Sequence, residues 1–259
     1  MITTPGIPNK PVGENSPELY APNILVVGDS GSGKSTSYEG LPQDGRTAII
    51  ETELKALPFK HQFPKITYVE DVMSFVKAIE KYKKDPEVKY IVVDSISKHL
   101  ERCLQFCRGN YKNYDIWTNY GSMGGTLMQQ LHSKDKIIIA ISLAELVEEE
   151  SNATGVVAKT YKRMAATLMG NELRGKIDKE FTIVCHTHLD KAKDTGLLNF
   201  YFRVKPDGLT TAKTPRAMFA DAKNGLVPND VCAVIKELAK LGPDCERYAK
   251  LSWPLVLGK

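Results

Sequence analysis

Residues 23–36 read NILVVGDSGSGKST, from Asn23 to Thr36. Ile24 to Val27 is an apolar run of strand length, and Gly28 opens a turn that matches G-x-x-x-x-G-K-[ST] in full. Glycines let such a turn fold with consecutive backbone N–H groups pointing inward, where they meet phosphate oxygens. A helix is expected to begin near Lys34 and to aim its positive end at the same anion. In this pattern the lysine, Lys34, reaches the β- and γ-phosphates and the hydroxyl of Ser35 ligates Mg²⁺. Gly28, Asp29, Ser30, Gly31, Ser32, Gly33, Lys34, Ser35 and Thr36 therefore form a candidate site for ATP with Mg²⁺.

Working outward, strands and helices alternate. The pattern predicts strands at Thr47–Glu51, Ile66–Val69, Tyr90–Asp94 and Ile137–Ser142. Helices are predicted from Val72 behind an Asp71 cap, over Ser95–Arg108 and over Asp115–Ser133. Residues 145–160 are acidic and then turn-rich, and are expected to be a mobile loop, with a helix at Thr160–Arg174. Strands at Phe181–His186, Phe200–Val204 and Leu209–Ala212 and a helix at Asp230–Leu241 close the chain. This order means an α/β fold with a mostly parallel sheet flanked by helices and late β-hairpin additions. Residues 1–22 hold five of the 14 prolines and are expected to form an extended arm, leaving 23–259 as the single globular domain.

Composition bounds the class. The chain has 259 residues, 42% hydrophobic and 25% charged, ordinary values that exclude wholesale disorder. No apolar run approaches the roughly 20 residues that span a bilayer, and the start lacks a basic and then apolar leader. A soluble, cytoplasmic protein with no membrane partner is expected. The net charge of +4 permits nucleic-acid contact without demanding it. Five cysteines without metal spacing imply reduced thiols. In Cys185-His186-Thr187-His188 the two histidines lack further ligands at useful spacing, so they are read as structural.

A phosphate loop needs a second acid at the end of a buried strand, and YIVVD supplies Asp94 as the Mg²⁺ partner of Ser35. Hydrolysis also needs a group that orients water. Ser95 follows Asp94 directly, so the acid must come from another strand end, and TAIIETE offers Glu51 and Glu53. Ser142 stands at the tip of IIIAIS, placed to sense the γ-phosphate.

This succession of motifs resembles RecA-type P-loop ATPases. It departs from GTPases, because Asp94-Ser95-Ile96-Ser97 is not D-x-x-G and no N-K-x-D is present. More narrowly, the chain resembles the phage RecA-like ATPases of the Sak-type single-strand annealing group. NILVVGDSGSGKS, IIETE, YIVVDS, the W-x-x-Y-G at Trp117–Gly121 and RVKPDG…AKTPR at Arg203–Arg216 carry that resemblance. It implies a RecA-like core over about residues 23–240, ATP hydrolysis, and assembly into a homo-oligomeric ring or filament with ATP at subunit interfaces. It implies Glu53, three residues beyond Ile50, as the water-orienting acid, with Lys34 as a catalytic cation. Lys213 and Arg216 are then the cations that reach the γ-phosphate held by a neighbour. Group members often carry a His where this chain has Ser142. Single-stranded DNA, a single-strand-binding protein and, for a phage-encoded chain, the host cytoplasm complete the implied setting.

Two segments suit unpaired nucleic acid. Arg108, Tyr111, Lys112 and Tyr114 combine aromatic faces with phosphate-seeking cations, while Trp117 and Tyr120, on the same three-residue spacing, are expected to face the core. Lys159, Lys162, Arg163 and Arg174 fall where RecA-like proteins place a second DNA-binding loop, although Glu148–Glu150 oppose phosphate there. Two rival functions share the loop chemistry: a P-loop kinase of a small metabolite or nucleotide, and a non-hydrolysing, nucleotide-gated scaffold.

Overall fold

The computed structural model describes residues 20–150, 160–166 and 177–241. Its strands are β1 (Ile24–Gly28), β2 (Thr47–Glu51), β3 (Lys65–Tyr68), β4 (Tyr90–Asp94), β5 (Ile137–Glu150), β6 (Thr160–Ala166), β7 (Ile183–Lys191), β8 (Leu198–Arg203) and β9 (Leu226–Pro228). Its helices are α1 (Val72–Lys84), α2 (Ile96–Asn110), α3 (Tyr114–Gln130), α4 (Ile177–Glu180) and α5 (Val231–Lys240). The sheet runs β3-β2-β4-β5-β1-β7-β8-β9, with β6 paired to the outer half of β5. From β3 through β7 the neighbours are parallel, and β6, β8 and β9 are antiparallel additions. This is the expected α/β architecture, a mostly parallel sheet flanked by helices with late antiparallel additions.

Every residue of β1, β2 and β4 is buried, because helices cover both faces of the sheet, and such strands are apolar throughout rather than alternating. The two-residue period still sorts them. Leu25, Val27, Ile50 and Val93 face the layer of α1, α2 and α3. Ile24, Val26, Ile49 and Val92 face Tyr38, Phe202 and α5. Caps set the helix starts: Asp71 and Ser74 form a reciprocal capping box at α1, and the Ser95 side chain accepts from the Lys98 N–H at α2.

The structure corrects several expectations. No α-helix follows the phosphate loop; a single 3₁₀ turn, Thr36–Tyr38, precedes Glu39-Gly40-Leu41-Pro42. Glycine and proline so close together end a helix, and Tyr38 turns into the core instead. The loop expected at 145–160 and the helix expected from Thr160 give way, over the described residues, to the β5–β6 hairpin. Pairing of Leu146 with Met164 and of Glu148 with Lys162 overrides local propensity there. The Leu209–Ala212 strand reduces to isolated bridges at Thr210 and Lys213, whereas β9 has no counterpart in the sequence reading. Residues 1–19 of the expected arm, Lys159, Arg174 and Cys245 lie outside the described residues. Ala21 and Pro22 are buried, and the Ala21 N–H donates to the Ser133 carbonyl at 2.7 Å. Among the described residues no helix is long and apolar enough to cross a membrane.

Candidate active site

The phosphate loop joins β1, near the middle of the sheet, to the turn at Thr36. Gly31 and Gly33 adopt φ of +75° and +85°, the left-handed region that glycine enters freely. Gly28 is required for another reason, since a β-carbon there would run into the Thr187 hydroxyl. Asp29 is the internal anchor: its carbonyl accepts from the Ser32 hydroxyl and from Lys34 Nζ, both at 2.7 Å. From β7, the Thr187 hydroxyl donates to Ser32 Oγ at 2.8 Å. From the end of β9, Asn229 Nδ2 donates to the Gly33 carbonyl at 3.0 Å. The cradle is thus braced by two strands that its own motif does not include.

Asp94 ends β4, two strands from β1, with β5 between them. It is buried, and burial pushes its carboxyl above the usual carboxylate range against hydrogen bonds from the Ser35 and Tyr38 hydroxyls. Ser35 and Asp94 therefore touch, and both present hard oxygen donors. That donor set fits Mg²⁺.

Both acids at the end of β2 are near, but they do different things. Glu51 is buried, and its carboxylate accepts from the backbone N–H groups of Glu53, Leu54 and Lys55. Burial holds its carboxyl above the ordinary value in spite of those bonds. Glu53 is half-buried; it accepts from Ser95 Oγ at 3.1 Å and pairs with Lys55 at 2.8 Å. Burial works to raise its carboxyl, yet the Lys55 ammonium and the Ser95 hydroxyl bring it below the usual range, so Glu53 is a carboxylate at neutral pH. Thr52 fastens the two strand ends: its N–H donates to the Asp94 carbonyl, and its hydroxyl contacts the Ser95 main chain on both sides.

Lys34 is lowered by burial, while the negative charges of Asp94, Glu53 and Asp29 work to raise it. All three acids act on the same ammonium group, so the site is one electrostatic unit. A cavity of about 460 Å³ opens beside it, lined by Ser30, Glu53, Ser95, Ser97, Lys98 and Tyr120 among others. Ser142 stands behind that lining; it is fully buried and its hydroxyl meets Ser97 Oγ at 2.9 Å.

Lys213 and Arg216 lie elsewhere. Lys213 exchanges main-chain hydrogen bonds with Val184, which is level with Leu25 on β1. That is three residues before Gly28, roughly 10 Å along the strand from the loop. The main chain of Lys213 is therefore well below the cradle of its own chain. Arg216 is exposed.

Arg108, Tyr111, Lys112 and Tyr114 surround the tight connection between α2 and α3, all exposed, with Tyr114 at 75%. Tyr120 is a core residue as expected, whereas Trp117 is 38% exposed and meets Tyr120 edge-on. Lys162 pairs across the β5–β6 hairpin with Glu148 at 2.8 Å. Arg163 lies on β6, its side chain outside the description. His186 is buried against Thr211 at 2.8 Å, and among the described residues no group of His, Cys, Asp or Glu is arranged to hold a metal by itself.

Sequence reasoning missed Tyr38, Thr52, Thr187 and Asn229. Tyr38 stands two residues past Thr36 and Thr52 directly follows Glu51, but Thr187 and Asn229 reach the loop only through folding.

No curated protein matches the chain. Among solved structures, a KaiC-like protein from the hyperthermophilic archaeon Pyrococcus horikoshii OT3 is similar at 17% identity, over 70% of this chain and 76% of that one, with a TM-score of 0.39. The family model described as AAA domain matches residues 21–224, from just before β1 to the approach to β9. With its phosphate loop, strand-end acids and mostly parallel sheet in place, the chain belongs to the AAA domain family and is a P-loop nucleotide-binding domain.

Proposed function

We propose that this protein is a Mg²⁺-dependent ATPase of the phage RecA-like, single-strand annealing type. It acts on single-stranded DNA in recombination, in the host cytoplasm and alongside a single-strand-binding protein, and assembles so that ATP lies between subunits. One observation carries the hydrolytic part: Lys34, Asp94 and Glu53 share one electrostatic site, with an open cavity at Glu53. In this reading the loop amides and Lys34 grip the β- and γ-phosphates. Bound Mg²⁺, held by Ser35 and Asp94, would neutralise charge on the phosphate oxygens. Glu53, ionised and facing the cavity, orients a water for in-line attack and takes its proton.

The exposed ring of cations and aromatics at the α2–α3 connection supports single-stranded DNA as the effector, because stacking and phosphate contact are both on offer there. Lys213 and Arg216 are taken as the cations that reach a neighbour's γ-phosphate, and Arg216 is exposed as that role requires, with ring and filament equally compatible.

Fluorescence anisotropy with labelled single- and double-stranded oligonucleotides, with and without Mg²⁺-ATP, tests the DNA reading. Tyr114→Ala should weaken single-strand binding roughly tenfold without touching ATP affinity. Absence of any DNA binding at low salt overturns it. The cavity at Glu53 also admits a second reading, a kinase whose small acceptor sits there. DNA-stimulated phosphate release supports the ATPase, and turnover that needs a hydroxyl acceptor supports the kinase.

A further inference from the structure

If the γ-phosphate end of a nucleotide faces Asp94 and Glu53, the nucleoside end leaves the loop on the far side of β1. The sheet order puts β7, β8 and β9 there. A β-carbon on Gly33 would come within 2.9 Å of Phe200 Cδ1 and 2.5 Å of Asn229 Nδ2, so a ring from β8 and an amide from the end of β9 both lie against the loop. The Asn229 N–H donates to the Phe200 carbonyl at 3.3 Å, which ties the two together.

Despite this packing, Phe200 keeps 41% of its surface exposed. Leu189 sits directly opposite it in the β7–β8 register, on the same face, and is 42% exposed. Leu198, two residues along β8, is 55% exposed. The hairpin therefore carries an apolar strip that begins at the phosphate loop and runs outward on the nucleoside side. An aromatic face beside a phosphate cradle is chemically suited to a flat heterocycle.

Asn229 fixes where that strip starts, because its Nδ2 donates to the Gly33 carbonyl at 3.0 Å and so ties the loop to the end of β9.

We propose that Phe200 and Leu189 form the nucleobase platform of this site. The proposal rests on the phosphate-loop reading and adds to it the place where the base lies. Phe200 stacks on the base, and Leu189 extends the apolar floor.

Isothermal titration calorimetry with ATP and inorganic tripolyphosphate, each with Mg²⁺, tests it. Phe200→Ala should weaken ATP roughly tenfold and leave tripolyphosphate unchanged, and Phe200→Trp should restore ATP. Equal ATP affinity in Phe200→Ala, or equal loss of tripolyphosphate in that variant, overturns the platform. Failure of ATP and tripolyphosphate alike to bind the unaltered protein overturns the phosphate-loop reading itself, and the platform with it.

Discussion

The Tyr38 hydroxyl donates to Asp94 Oδ2 at 2.9 Å, joining the turn behind the phosphate loop to the acid at the end of β4. Tyr38 is wholly buried, so water cannot replace the bond. Leaving one partner of a buried hydrogen bond unsatisfied costs about 1–3 kcal/mol. Tyr38→Phe should lower stability by about 2 kcal/mol in urea unfolding, and an unchanged midpoint would show that Asp94 does not depend on it.

The two glutamates of β2 should separate by phenotype. Glu53→Gln is expected to bind ATP with unaltered affinity and stability while phosphate release falls about 10²-fold or more. Glu51→Ala should instead cost about 1–3 kcal/mol of stability, because three loop N–H groups lose their acceptor. Parallel calorimetry and steady-state assays on both variants decide it; the reverse pattern would exchange their roles.

His99 makes stability depend on pH. It is buried against Phe75, at 4.2 Å between ring centroids, and burial, aided by the Arg102 cation, pushes its imidazole down to about 4. The unfolded imidazole titrates near 6.5. Between those values the unfolded chain takes up a proton that the folded chain refuses, so stability is full above pH 6.5 and declines as pH falls toward 4. The slope is about 1.4 kcal/mol per pH unit, or roughly 2 kcal/mol between pH 7 and 5. Urea midpoints across that range should fall in the parent protein, and in His99→Gln this contribution should vanish.

Lys213→Ala and Arg216→Ala should each leave ATP binding intact and slow turnover at least tenfold. Lys34→Ala should lose ATP binding yet retain both cations. Mixing Arg216→Ala with Lys34→Ala should then restore part of the activity, because each chain supplies what the other lacks. A mixture no more active than its components removes the trans role.

Much of the site was legible because it is contiguous. Gly28 to Thr36 carries its glycines, lysine and hydroxyls in one run, and Tyr90 to Asp94 announces a buried strand with an acid at its tip. The choice between Glu51 and Glu53 was open at that level, since both follow the same strand. Folding separates them, with one carboxylate enclosed by its own loop and the other left facing a cavity. The expected helix after Lys34 failed because Gly40 and Pro42 outweighed the motif. The β5–β6 hairpin was missed because Glu148 to Glu150 look like a solvated run until a partner strand brings Lys162 opposite Glu148.

By itself the sequence determined the phosphate loop, the parallel strands around it and the acid of β4, all of which depend on backbone geometry and periodicity within a few residues. Only the tertiary structure decided what braces the loop and what borders it. Thr187 meets Ser32 across 155 positions and Asn229 meets Gly33 across 196. Contacts of that separation leave no local pattern, because they arise from the order in which strands pack side by side rather than from any residue's neighbours in the chain.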